Sequence, residues 1–156
     1  MHIMYLKERY IMEENIKKIN EFLCDLEVIN VKLQNYHWNV QGKDFFVIHE
    51  KLEEYYDEVR EQIDEIAEFI LSKGYQPLGT MQDFIKNSKI QEAKNERIKS
   101  LQIIENLIPD LTALKQKAME IKQEAEKQAD TETSTLMDDY IENYSKKLWM
   151  LNETIK

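Results

Sequence analysis

The sequence predicts an all-α protein, a four-helix bundle in which one long connection joins the second and third long helices. Two observations predict this fold class. The chain of 156 residues contains only three glycines and two prolines, so few positions interrupt a helix. Apolar residues recur at three- and four-residue spacing in four long segments, and the two middle segments are separated by a long stretch with turn residues.

The first helical segment extends from about Glu13 to Val40. Its apolar stripe reaches His37, and Gly42 then breaks the pattern. No composition shift or linker interrupts the rest of the chain, which predicts one domain over residues 13–156, preceded by an N-terminal extension over residues 1–12.

The second segment begins near Asp44, a suitable N-cap residue, and reaches Lys73, where Gly74 supplies the stop. Turn residues follow. Thr80 is then placed to cap a short helix over residues 81–86, inside the long connection.

The third long helix is predicted from about Ser100 to Gln128. Pro109 lies inside it and should kink the helix or delay its regular start, because proline lacks the backbone N–H. The fourth helix is predicted from near Asp130 to about Thr154, with Trp149 on or near its buried face.

Charge and composition limit the functional classes. The formal net charge is −9, which disfavours binding to nucleic acid or to an anionic membrane. The single cysteine, Cys24, excludes an intrachain disulfide and is expected to be a buried apolar residue. No apolar run approaches the length of a membrane span and no signal-peptide pattern is present, so the sequence predicts a cytoplasmic protein.

Five residues form a candidate metal site. His49 and Glu53 lie four residues apart in the second segment, as do Asp64 and Glu68, so each pair shares one helix face. His37 approaches the first pair across the Gly42 turn. Imidazole and carboxylate ligands suit iron, zinc or manganese.

The two pairs cannot meet within one chain. Glu53 and Asp64 lie eleven residues apart, which corresponds to roughly 16 Å along a helix, although both point in nearly the same direction. A two-fold dimer with antiparallel helices solves this problem, because the first pair of one chain then faces the second pair of its partner.

An intrachain di-metal site is disfavoured. Such sites in helix bundles use Glu-x-x-His motifs from two helices. This sequence contains no Glu-x-x-His, and its third and fourth helices contain no histidine.

The motifs HWNVQG at residues 37–42 and QIDEIAE at residues 62–68, with the GYQP turn at residues 74–77, resemble the Dps family of dodecameric mini-ferritins. FF at 45–46, HE at 49–50, the short connecting helix and WML at 149–151 extend the resemblance. It covers about residues 15–151.

The resemblance implies a ferritin-like bundle that assembles into a homododecamer, with a ferroxidase centre at each two-fold interface. It assigns His37, His49 and the carboxylate at position 53 to one chain and Asp64 and Glu68 to its neighbour. The family usually has Asp where this chain has Glu53. That longer side chain puts the position of the second iron, and the oxidation rate, in question.

The family chemistry implies that Fe²⁺ binds, is oxidised by hydrogen peroxide and is stored as ferric mineral in a hollow shell, which protects the cell and its DNA from oxidative damage. The same ligands would accept Zn²⁺. Glu126, Asp130 and Glu132 are candidates for an iron-entry pore. DNA binding is expected to be weak or absent, because the N-terminal extension offers only Lys7 and Arg9 before acidic residues.

Other interpretations stay open. His37 alone would be typical of a satisfied core residue, and Asp64 and Glu68 alone would be typical of a solvated acidic face. Trp38 and Trp149 favour packing roles over redox roles. The alternative function is a non-catalytic helical assembly, DNA-protecting or purely structural, in which these groups form salt bridges.

Overall fold

The computed structural model describes the backbone of residues 2–156 and the side chains of Tyr10 and residues 12–156. It contains four long helices, one short helix and two very short strands. In chain order they are α1 His2–Asn39, β1 Val40–Gln41, α2 Phe45–Ser72, α3 Met81–Asn87, β2 Ile98–Lys99, α4 Ser100–Lys127 and α5 Thr131–Thr154. The predicted four-helix bundle with a short helix in its long connection is confirmed.

The long helices pack as two antiparallel pairs, α1 with α2 and α4 with α5, and α1 also contacts α4. Each helix turns an apolar stripe inward because its apolar residues recur at the helical period. The largest fully buried side chains come from all four long helices. They include Phe22, Leu26, Ile29, Ile66, Ile70, Ile103, Leu107, Leu114 and Tyr144. Cys24 is fully buried, as expected.

Three of the predicted helix boundaries are set by the residues expected to set them. Gly74 has φ +82°, a conformation that favours glycine, and its N–H bonds to the Leu71 carbonyl at the end of α2. The Thr80 and Asp130 side chains accept from the backbone N–H groups of Asp83 and Thr133, at the starts of α3 and α5.

The start of α1 differs from the prediction. The helix begins at His2 rather than near Glu13. The residues before Glu13 include neither glycine nor proline, so nothing in this stretch stops a helix. Met1 and the side chains of residues 2–9 and 11 lie outside the description, so the division into an extension and a domain stays a prediction.

A two-residue parallel bridge was not predicted. Val40 and Gln41 pair with Ile98 and Lys99, which joins the end of α1 to the start of α4. Two residues are too short to show the alternation that identifies a strand in a sequence. The bridge closes the end of the bundle that carries His37.

Pro109 does not delay α4, which already begins at Ser100 and continues past the proline. The position of Trp149 also differs from expectation. Trp38 is 65% exposed and Trp149 is 62% exposed, so neither packs in the core of this chain, and the preference for packing over redox roles stays a prediction. No helix in the described part of the chain is long and apolar enough to cross a membrane.

Candidate metal centre

The side chains of His37 and His49 each form a hydrogen bond with the backbone carbonyl of the other residue. The Nδ1 atom of His37 lies 2.7 Å from the carbonyl oxygen of His49, and the Nδ1 atom of His49 lies 2.8 Å from the carbonyl oxygen of His37. The two rings stack with centroids 3.7 Å apart. The last turn of α1 and the first turns of α2 are thereby joined by two reciprocal hydrogen bonds.

This arrangement fixes where the protons of both imidazoles lie. A carbonyl oxygen only accepts, so each Nδ1 must donate, and in a neutral ring Nε2 then carries a lone pair. Neither Nε2 atom has a hydrogen-bond partner among the described residues. Both rings are therefore held in the tautomer that ligates a metal through Nε2.

Aromatic neighbours support the imidazole pair. The Phe45 ring stacks on His49 at a centroid distance of 4.8 Å, and the Tyr56 ring meets His37 edge-on at 5.3 Å. His37 is buried and His49 is partly exposed. His49 is thus the more accessible of the two rings.

Glu53 follows His49 by one helical turn on the same face of α2 and is exposed. The Tyr56 hydroxyl interacts with its carboxylate. Burial, followed by the negative charges of Glu53 and Asp57, raises the pKa of the Tyr56 phenol, which therefore stays protonated and donates. Tyr56 therefore contacts both Glu53 and His37.

Asp64 and Glu68 lie further along α2, both exposed. They line an open depression of about 580 Å³ together with Glu61 and Glu65. Glu65 accepts a 2.6 Å hydrogen bond from the Tyr140 hydroxyl. Asp64 and Glu68 make no hydrogen bond or ion pair with any described residue.

The single chain brings His37, His49 and Glu53 to one end of α2 but leaves Asp64 and Glu68 three turns away. Among the described side chains, no three His, Cys, Asp or Glu groups converge closely enough to hold a metal ion. The structure therefore brings His37 and His49 into direct contact, with Glu53 one turn further along α2, and it places Asp64 and Glu68 separately.

The ferritin-like domain family matches residues 16–156 of the chain. A DNA protection during starvation protein of Helicobacter pylori is 35% identical over 82% of this chain and 89% of its own length. The chain belongs to the Dps family. A second such protein, from Bacillus anthracis, is 40% identical over 87% of this chain and 92% of its own length.

The solved structures agree with this membership. The Dps protein of Vibrio cholerae, described as a member of a broad superfamily of ferritin-like diiron-carboxylate proteins, superposes with a TM-score of 0.91. It is 32% identical, and the match covers 94% of this chain and 92% of that one. The predicted fold and family are both confirmed, and the diiron-carboxylate superfamily implies iron binding.

The sequence did not identify two functional residues on the part of α2 that carries His49, Glu53 and Asp64. Tyr56 contacts both half-site partners, His37 and Glu53, and Arg60 lies between Glu53 and Asp64 with its guanidinium 4.6 Å from the Tyr56 ring centroid. Tyr56 follows Glu53 by three residues and Arg60 follows it by seven, so helical spacing was the available signal.

The candidate pore carboxylates are paired with lysines. Lys73 Nζ lies 3.1 Å from Asp130 and 2.6 Å from Glu132, and Lys122 Nζ lies 3.5 Å from Glu126. Each lysine offsets part of the negative charge that would attract a cation.

Proposed function

We propose that the protein is a ferroxidase that binds Fe²⁺ at sites shared by two chains and oxidises it with hydrogen peroxide. His37, His49 and Glu53 of one chain supply one half of each site. Asp64 and Glu68 of the partner supply the other half. A two-fold dimer would contain two such sites.

The observation that carries this proposal is the reciprocal bonding of the two imidazoles. A core histidine satisfies its polar atoms and needs no free nitrogen, whereas these two rings use Nδ1 in a backbone bond and leave Nε2 free. Glu53 lies beside them on the same helix face. A pre-oriented pair of nitrogen donors next to a carboxylate suits a divalent first-row metal.

Charge supports a site shared between chains. The half-site with the imidazoles contributes one carboxylate, and Asp64 and Glu68 contribute two carboxylates that pair with none of the described residues. A shared site of two imidazoles and three carboxylates balances the charge of two Fe²⁺ ions more closely than either half-site does. Oxygen donors also favour Fe³⁺ over Fe²⁺, because the harder and more highly charged ion gains more from them.

In the proposed reaction two Fe²⁺ ions lose one electron each. One molecule of hydrogen peroxide takes up those two electrons and two protons and becomes two molecules of water. No hydroxyl radical is released when both electrons are delivered together. Storage of the Fe³⁺ product inside a shell of twelve chains, and protection of DNA through removal of iron and peroxide, are parts of the same proposal.

Ferrous oxidation by peroxide under anaerobic conditions tests the site. In His37→Asn the side-chain amide N–H₂ can replace Nδ1 as donor to the His49 carbonyl, while the Nε2 ligand is lost. We expect His37→Asn and Asp64→Asn to lower the initial rate at least about tenfold. Glu61→Gln removes a carboxylate from the same depression without touching the proposed ligands, and its rate should stay near wild type.

Mixing the two inactive variants tests whether the site is shared. When His37→Asn and Asp64→Asn chains are dissociated and reassembled together, a mixed dimer has one doubly damaged site and one intact site. Random pairing then restores roughly a quarter of the wild-type sites. Sites contained within one chain would give no recovery.

The alternative, a non-catalytic assembly, would show a particle of full mass with no peroxide-driven oxidation above that of free iron. Unchanged rates in both variants would exclude these ligands. Zn²⁺ should compete for the same groups, and X-ray absorption at the iron and zinc edges would identify which metal the purified protein carries.

A further inference from the structure

A continuous stripe of residues runs along the outer face of α2 and is called here the α2 stripe. At about 100° per residue its members fall within about 100° of the helix circumference. They are Phe46, His49, Glu53, Asp57, Arg60, Asp64, Glu68 and Leu71. All are exposed except His49, which is partly exposed. Phe46 is 77% exposed and Leu71 is 54% exposed, so both ends of the stripe are apolar.

The α2 stripe is complementary to itself in one antiparallel register. When the two-fold axis passes between Glu58 and Val59, every stripe residue faces another stripe residue of the second copy. Phe46 faces the partner's Leu71, and His49 faces the partner's Glu68. Glu53 faces the partner's Asp64. Asp57 faces the partner's Arg60.

In each of these four kinds of pair the two facing residues are chemically compatible. The outermost pair is apolar against apolar, and the two next pairs bring the proposed iron ligands together. The innermost pair is acid against base. Arg60 and Lys51 are the basic residues of α2, and Lys51 lies on the opposite side of the helix, so Arg60 is the one positive charge that the stripe offers.

Within one chain Asp57 and Arg60 already form an ion pair of 3.2 Å, with more than half of each side chain exposed. An exposed pair of this kind contributes little to the stability of the helix. Both side chains are therefore available to a second copy at low cost. The Tyr56 ring beneath the guanidinium restricts the directions in which Arg60 can point.

We propose that Asp57 and Arg60 are positioning residues that fix the register of α2 against α2 of a second copy through two reciprocal ion pairs at the two-fold axis. This inference rests on the proposed function, because register matters when the two halves of a metal site lie on different chains. A slip of one helical turn would move the half-sites about 5 Å past each other. Metal–ligand bonds of about 2 Å do not tolerate such a slip.

Charge reversal distinguishes pairing between chains from pairing within a chain. In Asp57→Arg alone, arginines at positions 57 and 60 face each other twice across the axis, and in Arg60→Asp alone, aspartates do. Each variant by itself should dimerise about 10- to 100-fold more weakly than wild type, because like charges meet in the interface. Sedimentation velocity at low protein concentration measures this loss.

An equimolar mixture of the two variants is the decisive sample. In the mixed dimer every pair across the axis is again opposite in charge, whereas both pairs within the chains remain like-charged. We expect the mixture to recover the sedimentation coefficient of wild type. Lys51→Glu, which breaks the exposed Lys51–Glu54 pair away from the stripe, is the matched control and should dimerise normally.

Failure of the mixture to recover, or normal dimerisation of both single variants, would overturn the register. Circular dichroism of each variant checks that the helices are intact. The proposed function is judged by different samples. If the register test fails but peroxide-driven iron oxidation requires His37 and Asp64, the proposed function is supported and the proposed register is not. If pairing depends on the charges at positions 57 and 60 but the protein does not oxidise iron, the proposed register is supported and the proposed function is not.

Discussion

At the residue scale, the central feature is that two histidines twelve positions apart become one structural unit. Neither imidazole depends on a distant side chain for its orientation, because each Nδ1 bonds to the backbone of the other residue. The sequence indicated that His37 and His49 belong together, through their placement on either side of the Gly42 turn. It did not indicate the reciprocal bonds, because backbone carbonyls leave no trace in the amino-acid pattern.

Glu53 is the ligand to vary first. Glu53→Asp shortens the side chain by one methylene and keeps the carboxylate, so we expect ferrous oxidation to persist at a changed rate. Glu53→Gln removes the charge and should lower the initial rate at least about tenfold. Glu50→Gln, an exposed neighbour of similar size, is the control for stopped-flow measurements. Equal rates in Glu53→Gln and Glu50→Gln would remove Glu53 from the site.

Cys24 provides a second prediction at this scale. Burial, followed by the negative charge of Asp25, raises the pKa of its thiol to about 12. At pH 8 roughly one thiol in ten thousand is then ionised, and the thiolate is the reactive form. We expect no reaction of the native protein with a disulfide reagent such as DTNB over an hour. Complete reaction of one thiol per chain should follow in denaturant.

At the element scale, periodicity predicted the four long helices and turn chemistry predicted α3, because both signals persist over several residues. Periodicity and turn chemistry could not predict two other features of the fold. The first is the parallel bridge between β1 and β2, which depends on bringing residues 40 and 98 together. The second is the burial of Lys32, whose Nζ lies 2.7 Å from Asp110. Both arise from contacts between distant parts of the chain.

The connection after α3 is anchored by a buried carboxylate. Asp25 of α1 accepts from the Ser88 hydroxyl at 2.8 Å and from the Lys89 backbone N–H at 2.6 Å. Burial raises the pKa of Asp25 above its usual 3.8, although these hydrogen bonds oppose the shift. The folded protein therefore binds a proton at this site more tightly than the unfolded chain does.

A pH series with Asp25→Asn tests this anchor. Because the folded-state pKa is raised, the contribution of Asp25 to stability is fully present below pH 3.8 and declines as pH rises through the folded-state pKa. The asparagine amide oxygen can still accept both hydrogen bonds and does not ionise. We therefore expect the free energy of unfolding of Asp25→Asn, relative to wild type, to increase with pH above 3.8.

Urea denaturation at each pH measures this difference. A constant difference between pH 3 and pH 7 would contradict the assigned titration. Asp25→Ala separates charge from hydrogen bonding, since it leaves the Ser88 and Lys89 donors without their partner. It should lower the free energy of unfolding by about 1–3 kcal/mol.

At the scale of the whole molecule, the sequence predicted more of the candidate site than one chain contains. Helix geometry separated His49 and Glu53 from Asp64 and Glu68, and the structure keeps them apart on α2. The shared site stays a prediction, because one chain does not show what faces its exposed carboxylates. Trp149, which was predicted on or near the buried face of the fourth helix, is exposed, because apolar spacing does not distinguish a core residue from one that faces outward.

Net charge supplies the prediction at this scale. At −9 per chain the molecule repels the phosphate backbone, and an assembly of many chains repels it more strongly. We expect no retention of linear duplex DNA in gel-shift assays at about 150 mM salt. A slow-migrating complex that forms in the metal-free protein and survives this salt concentration would show a basic surface that the total charge conceals.

The α1–α2 pair also has a consequence for how the protein is made. Both stacked imidazoles and the complete α2 stripe lie within the first 72 residues. At a rate of roughly 5–20 residues per second, synthesis of the 84 residues that follow this helical hairpin takes roughly 4–17 s. The hairpin's inner apolar face lacks part or all of α4 and α5 until synthesis has passed Thr154. The surface that we propose to recognise a second copy is thus synthesised before the half of the core that supports it.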